Sequence, residues 1–276
     1  PENKPKDLDW DLWLGPAKKI PYNSSLHPFN WRGWWDYGTG SLGDMGCHLI
    51  DIPFRTLGLK YPKSAECSVG SVFTKMWNPD YHPEGCPPSS LITLNFDGTE
   101  KSNSPIVMTW TDGGIRPPHP DIIPANSDIG GQDSLNGVLM IGDKGIISTN
   151  INDSSPLMPK LYLYDGETEF GPEVEEMLEP EYGHQRKWVD ACKAGFNSKE
   201  HLELTSSFDY AGPMTETVLM GNLAIRSYML RKEKSNGGYY YYARKKLLWD
   251  GENMKITNIE AANQYVTRNY REGWKI

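Results

Sequence analysis

The sequence predicts an α+β domain built on a large, mainly antiparallel β-sheet with helices on one face. Three observations carry that reading. One helical segment follows a glycine-rich turn near residue 40. Between residues 65 and 164 the chain offers short alternating or β-rich runs separated by turn residues. Helical periodicity then returns only after residue 182, so the strands are not interleaved with helices as a parallel sheet requires.

Taken in order, residues 1–12 are polar and proline-bearing and read as a linker arriving from another domain, with 13–276 forming the domain proper. The chain opens without a methionine, so a segment upstream is expected. Leu12-Trp13-Leu14-Gly15-Pro16, Pro21-Tyr22-Asn23 and His27-Pro28-Phe29-Asn30-Trp31 make a long, aromatic, ordered loop with a short helical turn, a kind of segment that often carries function. A helix is expected over 41–58, ended by Gly58, with Pro53 forcing a kink or stop near Ile52.

Strands are expected at 65–73, 90–96 and 106–111, followed by a long loop at 115–134 rich in Pro, Gly and Asp. Segments 137–142 and 145–149, joined by Asp143-Lys144, form a hairpin, and 161–164 is a further strand. A helix over 182–194 puts Trp188, Val189 and Cys192 on one face. A helical turn at 205–210 and a long helix over 213–230, with Pro213 near its start, come next. Ser235–Gly238 is a linker, Tyr239 to Tyr242 fits no period, and 247–250 with 254–257 close the sheet as a strand pair. A sheet uncovered on its far face needs a partner, so a homo-oligomer through that face is expected.

Composition narrows the function. The chain is 38% apolar and 23% charged with net charge −8, and it has no basic stripe, which argues against a nucleic-acid partner. No apolar run reaches the roughly 20 residues of a membrane span. Four cysteines (Cys47, Cys67, Cys86, Cys192) show neither zinc spacing nor a disulfide framework.

The chemistry concentrates in Trp31–Asp51. Asp44 and His48 are four residues apart, so on a helix they share one face, and a carboxylate beside an imidazole orients a general base. The helix around them is apolar, which points to a buried pair. Trp31, Trp34, Trp35 and Arg32 lead into it, the residue types that meet a sugar: a tryptophan face for its C–H side, a guanidinium for its hydroxyls or a carboxylate. Arg32, Trp34, Trp35, Tyr22 and Asp51 are the candidate substrate contacts. Any one of these tryptophans is equally well explained as core. A metal hydrolase using His27, Asp44, His48 and Asp51 is a weaker alternative without a metal-binding motif. Gly38-Thr39-Gly40-Ser41-Leu42-Gly43 fits G-x-G-x-x-G, but Gly33–Tyr37 is no buried strand and Glu66 does not end one, so a nucleotide site is rejected here.

Leu12–Pro16, Gly40-Ser41-Leu42-Gly43-Asp44 with His48 and Asp51, and the Leu-Trp-Asp and Met-Lys-Ile-Thr-Asn segments near the end resemble the Gfo/Idh/MocA oxidoreductases, the glucose–fructose oxidoreductase and inositol dehydrogenase family. The resemblance implies the C-terminal α/β domain of such an enzyme, supplying substrate contacts and oligomer interface, with NAD or NADP bound by a separate Rossmann domain and not by this chain alone. It implies that His48 is the acid/base for the reacting hydroxyl and that Asp44 positions substrate or histidine. The family's Glu-Lys-Pro lysine has no counterpart here, so the chain by itself is expected to be inactive. The implied substrate is a sugar, polyol or glycoside. A glycosidase that oxidises its sugar transiently, or a non-catalytic carbohydrate-binding module, are the alternatives.

Overall fold

The computed structural model describes residues 2–127, 129, 136–151, 159–166, 168–170 and 182–274. The chain forms two compact units, one from residues 1–117 and 216–276, the other from residues 118–215.

The first unit begins with helix α1 (Trp10–Leu14), capped by the Asp9 carboxylate, which accepts the Leu12 N–H at 3.0 Å. Residues 1–12 are therefore not all linker. Trp10 is 8% exposed, its indole N–H bonds the Ile20 carbonyl at 2.8 Å, and Leu14 and Leu26 pack beside it. Arg271, far along the chain, fixes this helix: its guanidinium bonds the Asp11 carboxylate at 2.8 and 3.1 Å and the Gly15 carbonyl at 2.8 Å.

Helix α2 (Gly40–Leu49) and helix α3 (Asp51–Leu57) meet at Ile50. The expected break near Ile52 falls two residues earlier because proline acts on the residue four before it: Pro53 lacks the N–H that the Leu49 carbonyl would accept, and its ring crowds that oxygen. Gly58 ends α3 with φ 65°, as expected of a left-handed cap.

Strands β1 (Ser64–Val69), β2 (Ser90–Phe96) and β3 (Ile106–Thr111) pair antiparallel, with Cys67, Ile92 and Trp110 in one register row. The first strand stops at Val69, short of residue 73. In β2 the alternation is strict: Ser90, Ile92, Leu94 and Phe96 are buried.

The second unit holds β4 (Asn136–Ile141), β5 (Gly145–Ile151), β6 (Lys160–Leu163) and β7 (Thr168–Phe170), an antiparallel sheet in chain order. The expected hairpin is there, closed from Gly142 N–H to the Gly145 carbonyl at 2.9 Å. Ile123, Ile129, Ile146 and Tyr162 form its core. Helices α4 (Gly183–Ala194) and α5 (Lys199–Leu202) follow. The face shared by Trp188, Val189 and Cys192 is exposed, and Ala191 is the buried position of α4. Of the expected loop at 115–134, positions 128 and 130–134 lie outside the described residues.

Helix α6 (Phe208–Tyr228) starts five residues before Pro213, absorbing the expected turn, because the Ser207 carbonyl accepts the N–H groups of Tyr210 and Ala211. From Glu216 onward it belongs to the first unit, where it packs on α2 and β2. A Cβ on Gly221 would lie 2.4 Å from Leu42 and 3.4 Å from Ile92, so glycine permits that approach. Strands β8 (Arg231–Glu233) and β9 (Tyr239–Tyr241) form a small hairpin, which gives the tyrosine run a place. Strands β10 (Leu247–Asp250) and β11 (Lys255–Ile256) then add to β1, giving a five-stranded antiparallel sheet in the order β11-β10-β1-β2-β3. The α+β class is as expected, although β4–β7 and β8–β9 make sheets of their own. On the outward side of the five-stranded sheet Val107 and Leu248 are 63% and 45% exposed. Among the described residues no helix is long and apolar enough to cross a membrane.

Candidate active site

The aromatic approach to α2 is a 3-10 turn, Asn30–Gly33, braced by a second segment of chain. Trp35 N–H bonds the Glu84 carbonyl at 3.0 Å, and Cys86 N–H bonds the Gly33 carbonyl at 2.8 Å. The chain then doubles back tightly: a Cβ on Gly38 would lie 2.6 Å from the Arg32 Cα, so no side chain fits there. Gly40, at φ 66°, faces the Cys86 sulfur, which a Cβ would approach to 2.9 Å. Burial pushes the Cys86 thiol up to about 12.

Arg32 is held by two hydrogen bonds and two aromatic rings. Its Nε donates to Asp44 Oδ1 at 2.8 Å and its Nη1 to the Phe29 carbonyl at 2.9 Å. Its guanidinium lies 4.1 Å from the Phe29 ring centre and 4.7 Å from that of Trp31. Arg32 and Asp44, two candidates from the sequence, thus form one fixed unit.

Helix α2 buries its first residue, Gly40, and the stripe Leu42, Gly46 and Leu49, while Asp44, Cys47 and His48 face outward. The apolar composition suggested a buried pair; the apolar residues instead follow the i, i+4, i+7 spacing of a single stripe, which leaves the opposite face open. His48 makes no hydrogen bond with Asp44, whose carboxylate is taken by Arg32, and it has no other hydrogen-bond partner among the described residues.

The remaining candidates are spread. Trp34 is 36% exposed and bridged to Gly85. Trp35 is half-buried beneath Arg226 of α6, whose guanidinium lies 5.8 Å from its ring centre and 4.3 Å from that of Tyr265. Burial holds Arg226 below the usual range of a guanidinium. Tyr22 packs edge-on to Trp10 at 5.1 Å, in the N-terminal apolar cluster. Asp51 opens α3 and pairs with Arg55 at 3.5 Å. His27 packs edge-on to Trp13, and among the described residues no three His, Cys, Asp or Glu side chains converge to hold a metal. Arg226 and Cys86 were missed by sequence reasoning; a cation in the stretch 217–228 of α6, which carries no other charge, was the available signal.

Residues 1–69 match the C-terminal alpha/beta domain of the Gfo/Idh/MocA oxidoreductase family. The match falls wholly within the first unit and includes Arg32, Asp44, His48 and Asp51. No curated protein matches the chain. The family is NAD(P)-dependent in general. The residues here do not fit a dinucleotide: the pairings in the described sheets are all antiparallel, and the glycines of the G-x-G-x-x-G turn face the Arg32 backbone, the Cys86 sulfur and the Thr39 side chain, where a phosphate cradle would need open space.

Proposed function

We propose that this chain is the substrate-binding and proton-transferring part of an NAD(P)-dependent oxidoreductase acting on a hydroxyl of a sugar, polyol or glycoside. The observation that carries the reading is the exposed row on α2, where Asp44 is locked to Arg32 and His48, one turn on, has no hydrogen-bond partner among the described residues. A base that must take a proton from a bound hydroxyl needs an unoccupied ring nitrogen and an open face. His48 has both. The Asp44–Arg32 unit supplies acceptor and donor edges for neighbouring hydroxyls, and Trp34 supplies an exposed ring for the C–H side of the substrate. Such fixed groups set the reacting hydroxyl against the base at no further ordering cost. Because these residues offer no dinucleotide cradle, the cofactor is assigned to a separate domain, and the task of this chain ends at holding substrate and moving the proton.

The test is His48→Ala in the full-length protein. Loss of a general base lowers kcat on the order of 10²–10⁴ and leaves KM little changed. It also removes the limb of the pH–rate profile that the base contributes. A mutant with an unchanged profile overturns the role.

A further inference from the structure

The segment 71–86 carries a feature that folding does not account for. Asn78 N–H bonds the Lys75 carbonyl at 3.3 Å, closing a four-residue turn with Met76 and Trp77 at its tip. Trp77 stands at the third position with φ 66°, where such a turn asks for glycine. The ring gains nothing inside the chain, since Trp77 is 86% exposed and Met76 79%. A latch below keeps the tip in shape: the Thr74 hydroxyl donates to the Asp80 carboxylate at 2.7 Å, and Asp80 N–H bonds the Val72 carbonyl at 2.8 Å. A bulky residue in a strained backbone region, held there and left bare, points to use outside the fold.

The stem of this loop runs beside the candidate site. Glu84, Gly85 and Cys86 are bonded to Trp35, Trp34 and Gly33, the stretch that carries Arg32. We propose that Trp77, with Met76, is a second subsite of the candidate active site, stacking on a ring joined to the reacting sugar, so that the substrate is a glycoside and not a free monosaccharide. This rests on the sugar-hydroxyl reading above. The shared chemistry is a ring with an apolar face, which an aryl aglycone or a second sugar both supply. Lys75 and Asn78 flank the tip with polar groups for the edges of that ring.

The experiment is calorimetry on the full-length protein with 4-nitrophenyl, methyl and disaccharide glycosides of the gluco, galacto and manno series. The 4-nitrophenyl glycoside or disaccharide of one series binds about tenfold or more tightly than its methyl glycoside. Which of the two leads tells an aglycone site from a sugar site. Trp77→Gly removes that advantage and leaves methyl glycoside binding unchanged, and because glycine accepts φ 66° the melting temperature does not fall. No binding in any series, no advantage for the extended ligands, or an advantage that survives Trp77→Gly overturns the subsite. Extended glycosides that bind through Trp77 but are never oxidised keep the subsite and remove the redox reading.

Discussion

Arg32 and Asp44 are joined across twelve residues of chain by one 2.8 Å hydrogen bond from guanidinium Nε to carboxylate Oδ1. Their side chains are 31% and 43% exposed, and an ion pair that open to water contributes about 1 kcal/mol at most to stability. On the proposed role, Asp44→Asn is therefore expected to leave the melting temperature nearly unchanged while lowering kcat/KM of the full-length protein by about tenfold or more, because the fixed arginine edge is loosened. Parallel melting and steady-state assays check this. Equal losses in both would mark the pair as structural.

Gly38 makes that pair possible by letting the chain pass the Arg32 backbone. Gly38→Ala would place a Cβ 2.6 Å from the Arg32 Cα and 2.8 Å from its carbonyl oxygen. Overpacking of this kind costs about 1–3 kcal/mol and here displaces Arg32 as well. A lower melting temperature together with lower activity is the expected outcome. Gly33→Ala is the control: a Cβ there meets nothing within 4 Å, and both measurements stay near those of the parent.

The cysteines divide by environment. Burial pushes the Cys67 and Cys86 thiols up to about 12, whereas Cys47 and Cys192 are exposed. Iodoacetamide at pH 8, followed by peptide mass analysis, should label Cys47 and Cys192 while sparing Cys67 and Cys86. In the unfolded chain Cys67 and Cys86 lose their protons near pH 9, before the folded chain does, so their contribution to stability is whole below pH 9 and fades from about 9 to 12. Cys67→Ala with Cys86→Ala should flatten that part of the alkaline melting curve.

At the acid end the corresponding group is Asp11, pulled down to about 2 by hydrogen bonds from Arg271 first and Lys19 second. A lowered carboxyl stabilises the fold above the unfolded value near 3.8 and loses that contribution as pH falls toward 2. Arg271→Met should remove this part of the acid dependence. Comparing the melting temperatures of mutant and parent at pH 6 and pH 2.5 tests it, and the gap between them should narrow at the lower pH.

Where a structural feature followed from a local period, the sequence displayed it. Strand β2 alternates because Ile92, Leu94 and Phe96 face the core, and Asp143-Lys144 marks the hairpin of β4 and β5. Proline misled twice: Pro53 acts four residues back on Leu49, and Pro213 sits inside α6 because Ser207 starts the helix earlier. At the site, the spacing of Asp44 and His48 and the nearness of Arg32 were legible. Their exposure was not, since it depends on which stripe of α2 meets Val218 of α6. Arg226 over Trp35 joins residues far apart in sequence, and the bare Trp77 depends on a backbone angle that no residue pattern announces.

The Arg271 contact with α1 has a consequence for synthesis. A helix of five residues is well below the length that holds by itself in water, and the partner that ties its C-terminal carbonyl at Gly15 is made 256 residues later. On the ribosome, then, α1 emerges long before the arginine that closes it. A nascent chain halted before residue 271 would leave the Asp11 carboxylate and the Gly15 carbonyl without the guanidinium that ties them for as long as the pause lasts.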